Sequence, residues 1–462
     1  MSPVELVRVH LDRIAGFNPK INAYVQIDAE GALAAAAEAE KASAAAGREL
    51  GPLHGVPISI KSCIDVAGMR CEAGTKLRAG IVAKADAPLV ARLRNAGAIV
   101  LGTTNTPELL MAWETDNLLY GRTNNPWDLT RTAGGSSGGE AAAIASGCSA
   151  GGVGSDGGGS IREPAHFCGI CGLKPTPGRI PATGHFPQSV GPFALTGVVG
   201  PMARTITDLK LLFEALQGPD IGDPSFAPVP VRWSSNDHSD TSVHARALRK
   251  NVRIAYFEDD GRTPVTPETR AAVEQAAQAL RDAGFQVEAF RPEGLEKARL
   301  LWWKFFGITG YMLLGPITSG HEAELSPILK QFMTWTAKEP PHTAQSLLDM
   351  WLERDLVRMK IFEQMEEFPV LLCPVASIPA FRHGERRWQI DGKTIEYLDA
   401  WSYCEWFNLL GMPAVTVPVR RSDEGLPIGL QVAAKPWEEE LVLEIAEIIE
   451  AQRGPFGNPP ED

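Results

Sequence analysis

The amino-acid sequence from Gly134 to Pro175 reads GGSSGGEAAAIASGCSAGGVGSDGGGSIREPAHFCGICGLKP. Glycine is the commonest residue in the part of this segment that ends at Ser160. A glycine inside a helix or strand costs about 0.5–1 kcal/mol relative to alanine. We therefore expect much of the segment to be irregular backbone that brings N–H groups close to a ligand or a transition state.

Two nucleotide-binding motifs fit this segment poorly. Gly152-x-Gly154-x-x-Gly157 has the spacing of a dinucleotide-binding loop, but such a loop follows a strand. The alanine-rich residues 140–146 predict a helix there instead. A phosphate-binding P-loop ends in Lys-Ser or Lys-Thr, and neither glycine cluster does. Nucleotide binding is therefore disfavoured.

Two further motifs also lack their usual context. The overlapping G-x-S-x-G strings at residues 134–138 and 135–139 resemble a nucleophile elbow, which follows a strand and requires a histidine base. A turn-rich loop precedes Gly134 instead, and no histidine stands in a persuasive loop. Cys168 and Cys171 form a CxxC motif without two further metal ligands nearby. We interpret them as small buried residues of a tight turn and predict no metal site.

Lys61 is a different candidate base for these serines. It ends the apolar segment GVPISIK at residues 55–61, where burial is plausible. A desolvated lysine can be neutral near pH 7 and accept a proton from a serine. Because most lysines are solvated surface charges, this hypothesis depends on the glycine- and serine-rich segment as well.

Taken together, these residues resemble the amidase signature family, and the resemblance covers most of the chain. The matching blocks occur in order as LHGVPISIK at 53–61, GTTNTP at 102–107, GRTNNPW at 121–127, GGSSGG at 134–139, SDGGGSIR at 155–162, CGICGLKPT at 168–176 and GLPIGLQ at 425–431. The resemblance implies one domain over residues 1–462, with a signature core at 51–210 and a variable substrate-pocket region at 290–410. The implied fold is α/β, with a central mixed, mostly parallel β-sheet flanked by helices.

Local sequence patterns agree with that class. Strands are predicted at residues 56–60, 98–101, 252–257, 286–290, 369–373, 414–418 and 428–433, and helices at 29–46, 87–96, 267–283, 347–367 and 438–451. Alternation of this kind favours an α/β layered fold.

The resemblance also implies a Ser–cis-Ser–Lys triad, in which Ser160 is the nucleophile, Ser136 bridges from a cis peptide and Lys61 is the base. It implies an oxyanion hole made by the backbone N–H groups of Gly157, Gly158, Gly159 and Ser160. A bare backbone brings several donors to one point, which explains the glycines. Supporting roles around this loop are implied for Ser137, Ser155, Asp156 and Arg162.

Two positions depart from the family's pattern. Gly157 stands where the family more often has a β-branched residue, and Ala133 stands where a proline is frequent. Three consecutive glycines predict a looser oxyanion loop, whereas the triad is intact. We therefore expect a hydrolase whose rate and substrate range are open.

Two aromatic or apolar groups predict an apolar substrate pocket. Met111 and Trp113 lie in LLMAW at 109–113, which in relatives borders the acyl pocket. WWKFF at 302–306 lies in the variable region and fits core packing equally well. The favoured substrates are apolar or aryl amides, with carbamates (urethanes) as a close variant.

Other classes of function remain as alternatives. One is the glutaminase subunit of a glutamine-dependent tRNA amidotransferase, from whose usual pattern residues 388–412 depart. A non-catalytic binding module is disfavoured because all the triad positions are intact. No organic cofactor is implied, and homodimers are common among relatives.

Composition limits the partners and the compartment. The chain has 462 residues, 44% of them apolar, and a formal net charge of −12, which disfavours nucleic-acid binding through the net field. Seven cysteines and a charged N-terminus suit the cytoplasm. Leu300–Thr318 is almost wholly apolar, but Lys304 and Pro316 favour a buried or pocket-lining helix over a membrane span.

Overall fold

Helices and strands alternate along the chain, as the sequence patterns predict. The computed structural model describes residues 1–45, 49–232, 252–340 and 342–460. The helices of these residues are α1 (Pro3–Ile21), α2 (Ala29–Ala44), α3 (Pro88–Asn95), α4 (Gly138–Ala145), α5 (Arg162–Cys168), α6 (Pro192–Thr196), α7 (Ile206–Leu216), α8 (Pro267–Asp282), α9 (Leu295–Trp302), α10 (Thr309–Thr318), α11 (Pro327–Thr336), α12 (Ala344–Gln364), α13 (Ser402–Leu409) and α14 (Glu439–Arg453).

The strands follow the same numbering scheme. They are β1 (Tyr24–Ile27), β2 (Pro57–Lys61), β3 (Ile99–Thr104), β4 (Asn124–Asn125), β5 (Asp128–Thr132), β6 (Gly151–Asp156), β7 (Cys171–Lys174), β8 (Val198–Ala203), β9 (Arg253–Tyr256), β10 (Gln286–Ala289), β11 (Val370–Pro374), β12 (Arg387–Ile390), β13 (Lys393–Glu396), β14 (Ala414–Arg421) and β15 (Pro427–Ala434). Two short pairs, β4–β5 and β12–β13, lie outside the main sheet.

The main sheet has eleven strands in the order β1-β3-β2-β6-β8-β7-β14-β15-β11-β9-β10. The predicted α/β class and mixed sheet are confirmed. Parallel pairs lie in two groups, β3–β2–β6 and β11–β9–β10, while the strands between them and the edge strand β1 pair antiparallel. Parallel neighbours need a long crossover, and α3 and α8 supply it between β2 and β3 and between β9 and β10.

Strand β6 corrects the expectation that the glycine-rich segment is irregular. Gly151–Asp156 forms a regular, fully buried strand. A Cβ on Gly152 would lie 1.8 Å from Glu140 Oε1 and 2.3 Å from the backbone oxygen of Ser59. Glycine is required there because α4 and β2 approach the strand so closely.

The apolar segment Leu300–Thr318 is divided among three pieces. It contains the end of α9, a π-helical turn at Trp303–Ile308, and α10. Trp302 and Phe305 are buried, as a packed helix predicts, while Leu300 is 53% exposed. Among the helices of the described residues, none combines the length and the apolar character that a membrane span requires.

The sheet separates two large apolar cores. One lies against α3, α7, α8 and α14, and the other lies under α9, α12 and α13. The parallel strands β2, β3 and β6 end at the same edge of the sheet, where they carry Lys61, Thr104 and Asp156. In open α/β sheets, ligands bind outside such carboxyl ends.

Candidate active site

Lys61 is the centre of a buried cluster of hydroxyl groups. It is the last residue of β2 and is fully buried. Its Nζ lies 2.7 Å from Ser136 Oγ, 3.0 Å from Ser137 Oγ and 3.1 Å from Ser155 Oγ. The structure therefore brings together residues from three of the sequence blocks that predicted the site.

The surroundings of Lys61 favour its neutral form. Burial lowers the pKa of Lys61 to about 8, against the opposing influence of Cys63, Asp156 and Glu140. A buried ammonium loses its hydration, and the three hydroxyl groups replace water without supplying a counter-charge. At mildly alkaline pH this amine can accept a proton.

Glu140 is a buried acid that the sequence analysis did not single out. Its carboxyl group accepts hydrogen bonds from Ser59 Oγ at 2.6 Å and Thr104 Oγ1 at 2.6 Å. Burial raises the pKa of Glu140 to about 7, although both hydroxyl groups oppose the shift. These bonds fix the start of α4, and with it the serines that precede the helix, against β2 and β3. A glutamate inside an alanine-rich helix was the available signal.

The Gly135–Ser136 peptide bond is cis, as the resemblance implied for the bridging serine. The N–H of Gly135 donates to Glu163 Oε2 at 2.9 Å, and the carbonyl of Ser136 accepts from Thr106 Oγ1 at 2.8 Å. Both ends of the turn are therefore fixed by side chains, which directs Ser136 Oγ at Lys61.

Ser160 lines the same cavity as Ser136. Its backbone carbonyl accepts a hydrogen bond from the N–H of Ser137 at 3.1 Å, which joins the two serine-bearing loops. The Ser160 hydroxyl donates to no group within the described residues. The Lys61–Ser136 link is thus formed, while Ser136 and Ser160 share the cavity without a direct hydrogen bond. Such contacts often tighten only when substrate binds.

Asp156 and Arg162 support the loop between them. Both side chains are fully buried and their ion pair measures 3.0 Å. Burial alone would raise the pKa of Asp156, but the guanidinium of Arg162 outweighs it and holds that pKa well below its usual range. The carboxylate also accepts hydrogen bonds from the N–H groups of Gly159 at 2.8 Å and Ile161 at 3.1 Å.

The predicted oxyanion donors divide into two groups. The N–H groups of Gly157, Gly158 and Ser160 have no acceptor among the described residues. The N–H of Gly159 is taken by Asp156, so Gly159 is not a free donor as predicted. The loop needs this glycine for its conformation instead, since its φ is +115°.

The expectation of a loose loop at Gly157 is also wrong. Trp302 Nε1 donates to the carbonyl of Gly157 at 2.7 Å, and Trp113 Nε1 donates to that of Gly158 at 3.0 Å. A Cβ on Gly157 would lie 2.4 Å from the ring of Phe306. The side chain that the family more often carries at position 157 is replaced here by an aromatic ring from the variable region.

The cavity beside Ser160 is small and largely apolar. It has a volume of about 50 Å³ and Met111, Phe193, Val198 and Phe306 are among its lining residues. Met111 therefore lies where the sequence predicted a substrate contact. Trp113 does not line the cavity, because its ring packs behind the oxyanion loop against Trp302 and Trp401.

His185 is a lining residue that the sequence analysis missed. One ring nitrogen, Nε2, lies 3.4 Å from Cys63 Sγ, and Nδ1 lies 2.8 Å from the carbonyl of Pro187. A lone histidine in a loop carried no sequence signal for this position.

The cysteines carry no metal site. Cys168 and Cys171 are buried free thiols, and Gly169 between them ends α5 in the left-handed region, as the tight-turn interpretation predicted. In the described ranges, no cluster of three or more His, Cys, Asp or Glu side chains is arranged to hold a metal ion.

Comparison with known proteins agrees with this geometry. The Amidase family model matches residues 5–443. An acylamidase of Rhodococcus erythropolis is 35% identical over 98% of this chain and 92% of its own length. An indoleacetamide hydrolase of Bradyrhizobium diazoefficiens is 34% identical over 98% of this chain and 84% of its own length.

A tRNA-dependent relative and a solved structure complete the comparison. A glutamyl-tRNA(Gln) amidotransferase subunit of Thermosynechococcus vestitus is 31% identical over 96% of this chain and 93% of its own length. The crystal structure of a bacterial aryl acylamidase of the amidase signature family superposes with a TM-score of 0.85 at 26% identity, covering 98% of this chain and 93% of that one. The chain belongs to the amidase signature family and is an amidohydrolase.

Proposed function

We propose that this enzyme hydrolyses apolar or aryl amides, and carbamates by the same acyl transfer, through a covalent intermediate on Ser160. The observation that carries the proposal is the 2.7 Å contact between Lys61 Nζ and Ser136 Oγ beside Ser160 in an apolar cavity. A serine hydroxyl is a weak nucleophile unless a base accepts its proton, and neutral Lys61 is that base.

The proposed reaction has two halves. Neutral Lys61 accepts the proton of Ser136 while Ser136 accepts that of Ser160, whose Oγ attacks the substrate carbonyl carbon. The tetrahedral oxyanion is bound by the free N–H groups of the oxyanion loop. Ser136 then donates a proton to the leaving nitrogen, the C–N bond breaks, and the amine departs. Water, deprotonated by the same relay, cleaves the acyl-enzyme.

The cavity supports a neutral acyl group. One water needs roughly 10–15 Å³ of such space, so the available 50 Å³ accommodates a compact group beyond the reacting carbonyl. Asp156 is the sole Asp, Glu, Lys or Arg among the described lining residues, and its carboxylate is already paired with Arg162. The names of the relatives, an acylamidase and an indoleacetamide hydrolase, point to the same substrate class.

The amidotransferase alternative is favoured by the glutamyl-tRNA(Gln) amidotransferase relative. A glutamine substrate carries an α-ammonium and an α-carboxylate, and each needs a compensating partner once it leaves water. The cavity lining offers no free ionic partner for either group. We therefore rank this alternative second.

We further propose the cytoplasm as the compartment. All seven cysteines are buried free thiols, and free thiols persist in reducing environments. The oligomeric state stays a prediction.

A release assay separates the two candidate functions. The same aromatic amine is offered as an acetanilide, as an alkyl carbamate and as a glutamine anilide, with Ser160→Ala as the control. Release from the acetanilide or the carbamate, absent in Ser160→Ala, supports the proposal. Release from the glutamine anilide alone contradicts it and favours the amidotransferase alternative.

A further inference from the structure

The backbone of the oxyanion loop is held from behind at four successive carbonyl groups. Each oxygen accepts one hydrogen bond from an N–H donor elsewhere in the chain: Asp156 from Asn408 Nδ2 at 3.0 Å, Gly157 from Trp302 Nε1 at 2.7 Å, Gly158 from Trp113 Nε1 at 3.0 Å, and Gly159 from the backbone N–H of Glu163 at 2.7 Å. Three of the four donors are side chains.

These bonds determine where the loop's N–H groups point. In a planar trans peptide, the carbonyl of one residue and the N–H of the next point in opposite directions. The peptide bonds of this loop are trans, since the two cis bonds of the described residues lie at 135–136 and 186–187. The bond from Trp302 to the carbonyl of Gly157 therefore turns the N–H of Gly158 to the other side, where it has no acceptor among the described residues.

We propose that Trp302 is a positioning residue for acyl transfer, and that its indole N–H aims the N–H of Gly158 at the oxyanion of the tetrahedral intermediate. The inference rests on the function proposed above. Trp302 acts through the backbone, on a peptide that a glycine-rich loop alone leaves free to rotate.

The contacts of Trp302 fit this role. The side chain is 1% exposed, and a Cβ on Gly158 would lie 2.3 Å from its ring, so the glycine is what admits the indole. Phe306 stacks on Trp302 with ring centroids 5.1 Å apart and supports it from the cavity side. The π-helical turn at Trp303–Ile308 joins the two residues, and such turns are frequent at functional sites.

Trp113 fixes the next peptide from both ends. Its indole holds the carbonyl of Gly158, while Asp156 accepts the N–H of Gly159 at the opposite end of the same peptide. The Gly159 N–H is thus committed to support, and the N–H groups left for an oxyanion are those of Gly157, Gly158 and Ser160.

The test replaces the indole and follows kcat and KM separately. Trp302→Phe keeps an aromatic ring and removes the N–H. Since losing one oxyanion donor costs about 10²–10³ in rate, misaiming one should lower kcat by at least about tenfold and leave KM within about twofold. Trp401→Phe is the matched control, because Trp401 is equally buried and stacks on Trp113, but its Nε1 has no hydrogen-bond partner among the described residues. Its kcat should equal that of the wild type.

A second variant protects the test against a packing defect. Benzothienylalanine at position 302 keeps the bicyclic shape and replaces the N–H by sulfur. It should lower kcat as Trp302→Phe does, with an unchanged unfolding midpoint. Wild-type kcat in this variant, or an equal loss of kcat in Trp401→Phe, would overturn the inference.

Phenylboronic acid provides a readout that is independent of turnover. It forms a tetrahedral anionic adduct on a serine, so its affinity depends on the oxyanion donors. We expect it to bind Trp302→Phe at least about tenfold more weakly than the wild type, and equal affinity would overturn the inference. If the wild type hydrolyses none of the three anilide or carbamate substrates, the proposed function fails, and this comparison still decides the role of Trp302.

Discussion

Lys61 shows how burial alone can make a base. Its Nζ is surrounded by three hydroxyl groups and lies in no ion pair of the described residues, so the charged form loses hydration without gaining a counter-ion. The pKa of Lys61 is lowered to about 8 for this reason.

The pH dependence of the reaction follows from that pKa. Protonated Lys61 cannot accept a proton, so kcat/KM for an anilide should rise about tenfold per pH unit below about pH 8 and level off above it. A stopped-time assay between about pH 6 and pH 10 measures the profile. A profile that is flat across this range contradicts a titrating lysine.

Ser136 and Ser137 make a matched pair at the residue scale. Both hydroxyl groups contact Lys61 Nζ, at 2.7 and 3.0 Å, but Ser136 also lines the cavity with Ser160. Ser136→Ala should lower kcat/KM by about 10²–10⁴, the usual contribution of a proton-transfer group. Ser137→Ala should cost about tenfold at most, the worth of one hydrogen bond. Equal losses in the two variants would remove the bridging role of Ser136.

The residues that the sequence could predict are those in contiguous blocks. Lys61, Ser136 and Ser160 stand in such blocks, and their proximity needed only the fold. Trp302 and His185 could not be predicted, because their contacts with Gly157 and Cys63 span 145 and 122 residues. Trp113 was placed correctly near the site, but the direction of its indole was not readable.

At the scale of elements, hydrophobic periodicity predicted most helices and strands to within a few residues. It failed at β6, because the composition of Gly151–Asp156 describes the space around the strand rather than its backbone conformation. Glycine there serves the close approach of α4, a tertiary feature that local propensity cannot express.

Two glycine substitutions test that explanation. Gly152→Ala places a Cβ 2.3 Å from the backbone oxygen of Ser59 and should lower the free energy of unfolding by about 1–3 kcal/mol, as overpacking does. Gly16→Ala in α1 meets nothing within 4 Å and should raise it by about 0.5–1 kcal/mol. Urea unfolding measures both values. A neutral Gly152→Ala would mean that α4 can move away at no cost.

At the scale of the whole molecule, the sequence predicted the class of the sheet but not its strand order. Each strand signal is local, whereas the order depends on which segments cross the sheet. The consequence is visible at Arg162, whose guanidinium donates to Gln431 Oε1 at 2.8 Å across 269 residues and also to Asn408 Oδ1. The GLPIGLQ block that looked like a distant echo is therefore part of the support of Asp156.

Breaking this long-range junction should destabilise the whole chain. Arg162→Met leaves the fully buried carboxylate of Asp156 without its partner, and such losses cost about 3–5 kcal/mol. Lys41→Met breaks an exposed ion pair with Glu38 and should leave the unfolding midpoint unchanged. Equal unfolding midpoints for Arg162→Met and the wild type would show that the ion pair does not stabilise the fold.

The most direct test of the central claim is the identity of the acylated residue. The enzyme is mixed with a 4-nitrophenyl alkylcarbamate, quenched, digested with trypsin and analysed by mass spectrometry. The peptide of residues 132–162 holds both Ser136 and Ser160, so fragment ions must assign the added mass. We predict a carbamoyl group on Ser160, absent in Ser160→Ala. Mass added at another residue, or turnover without an adduct on Ser160, would contradict the proposed mechanism.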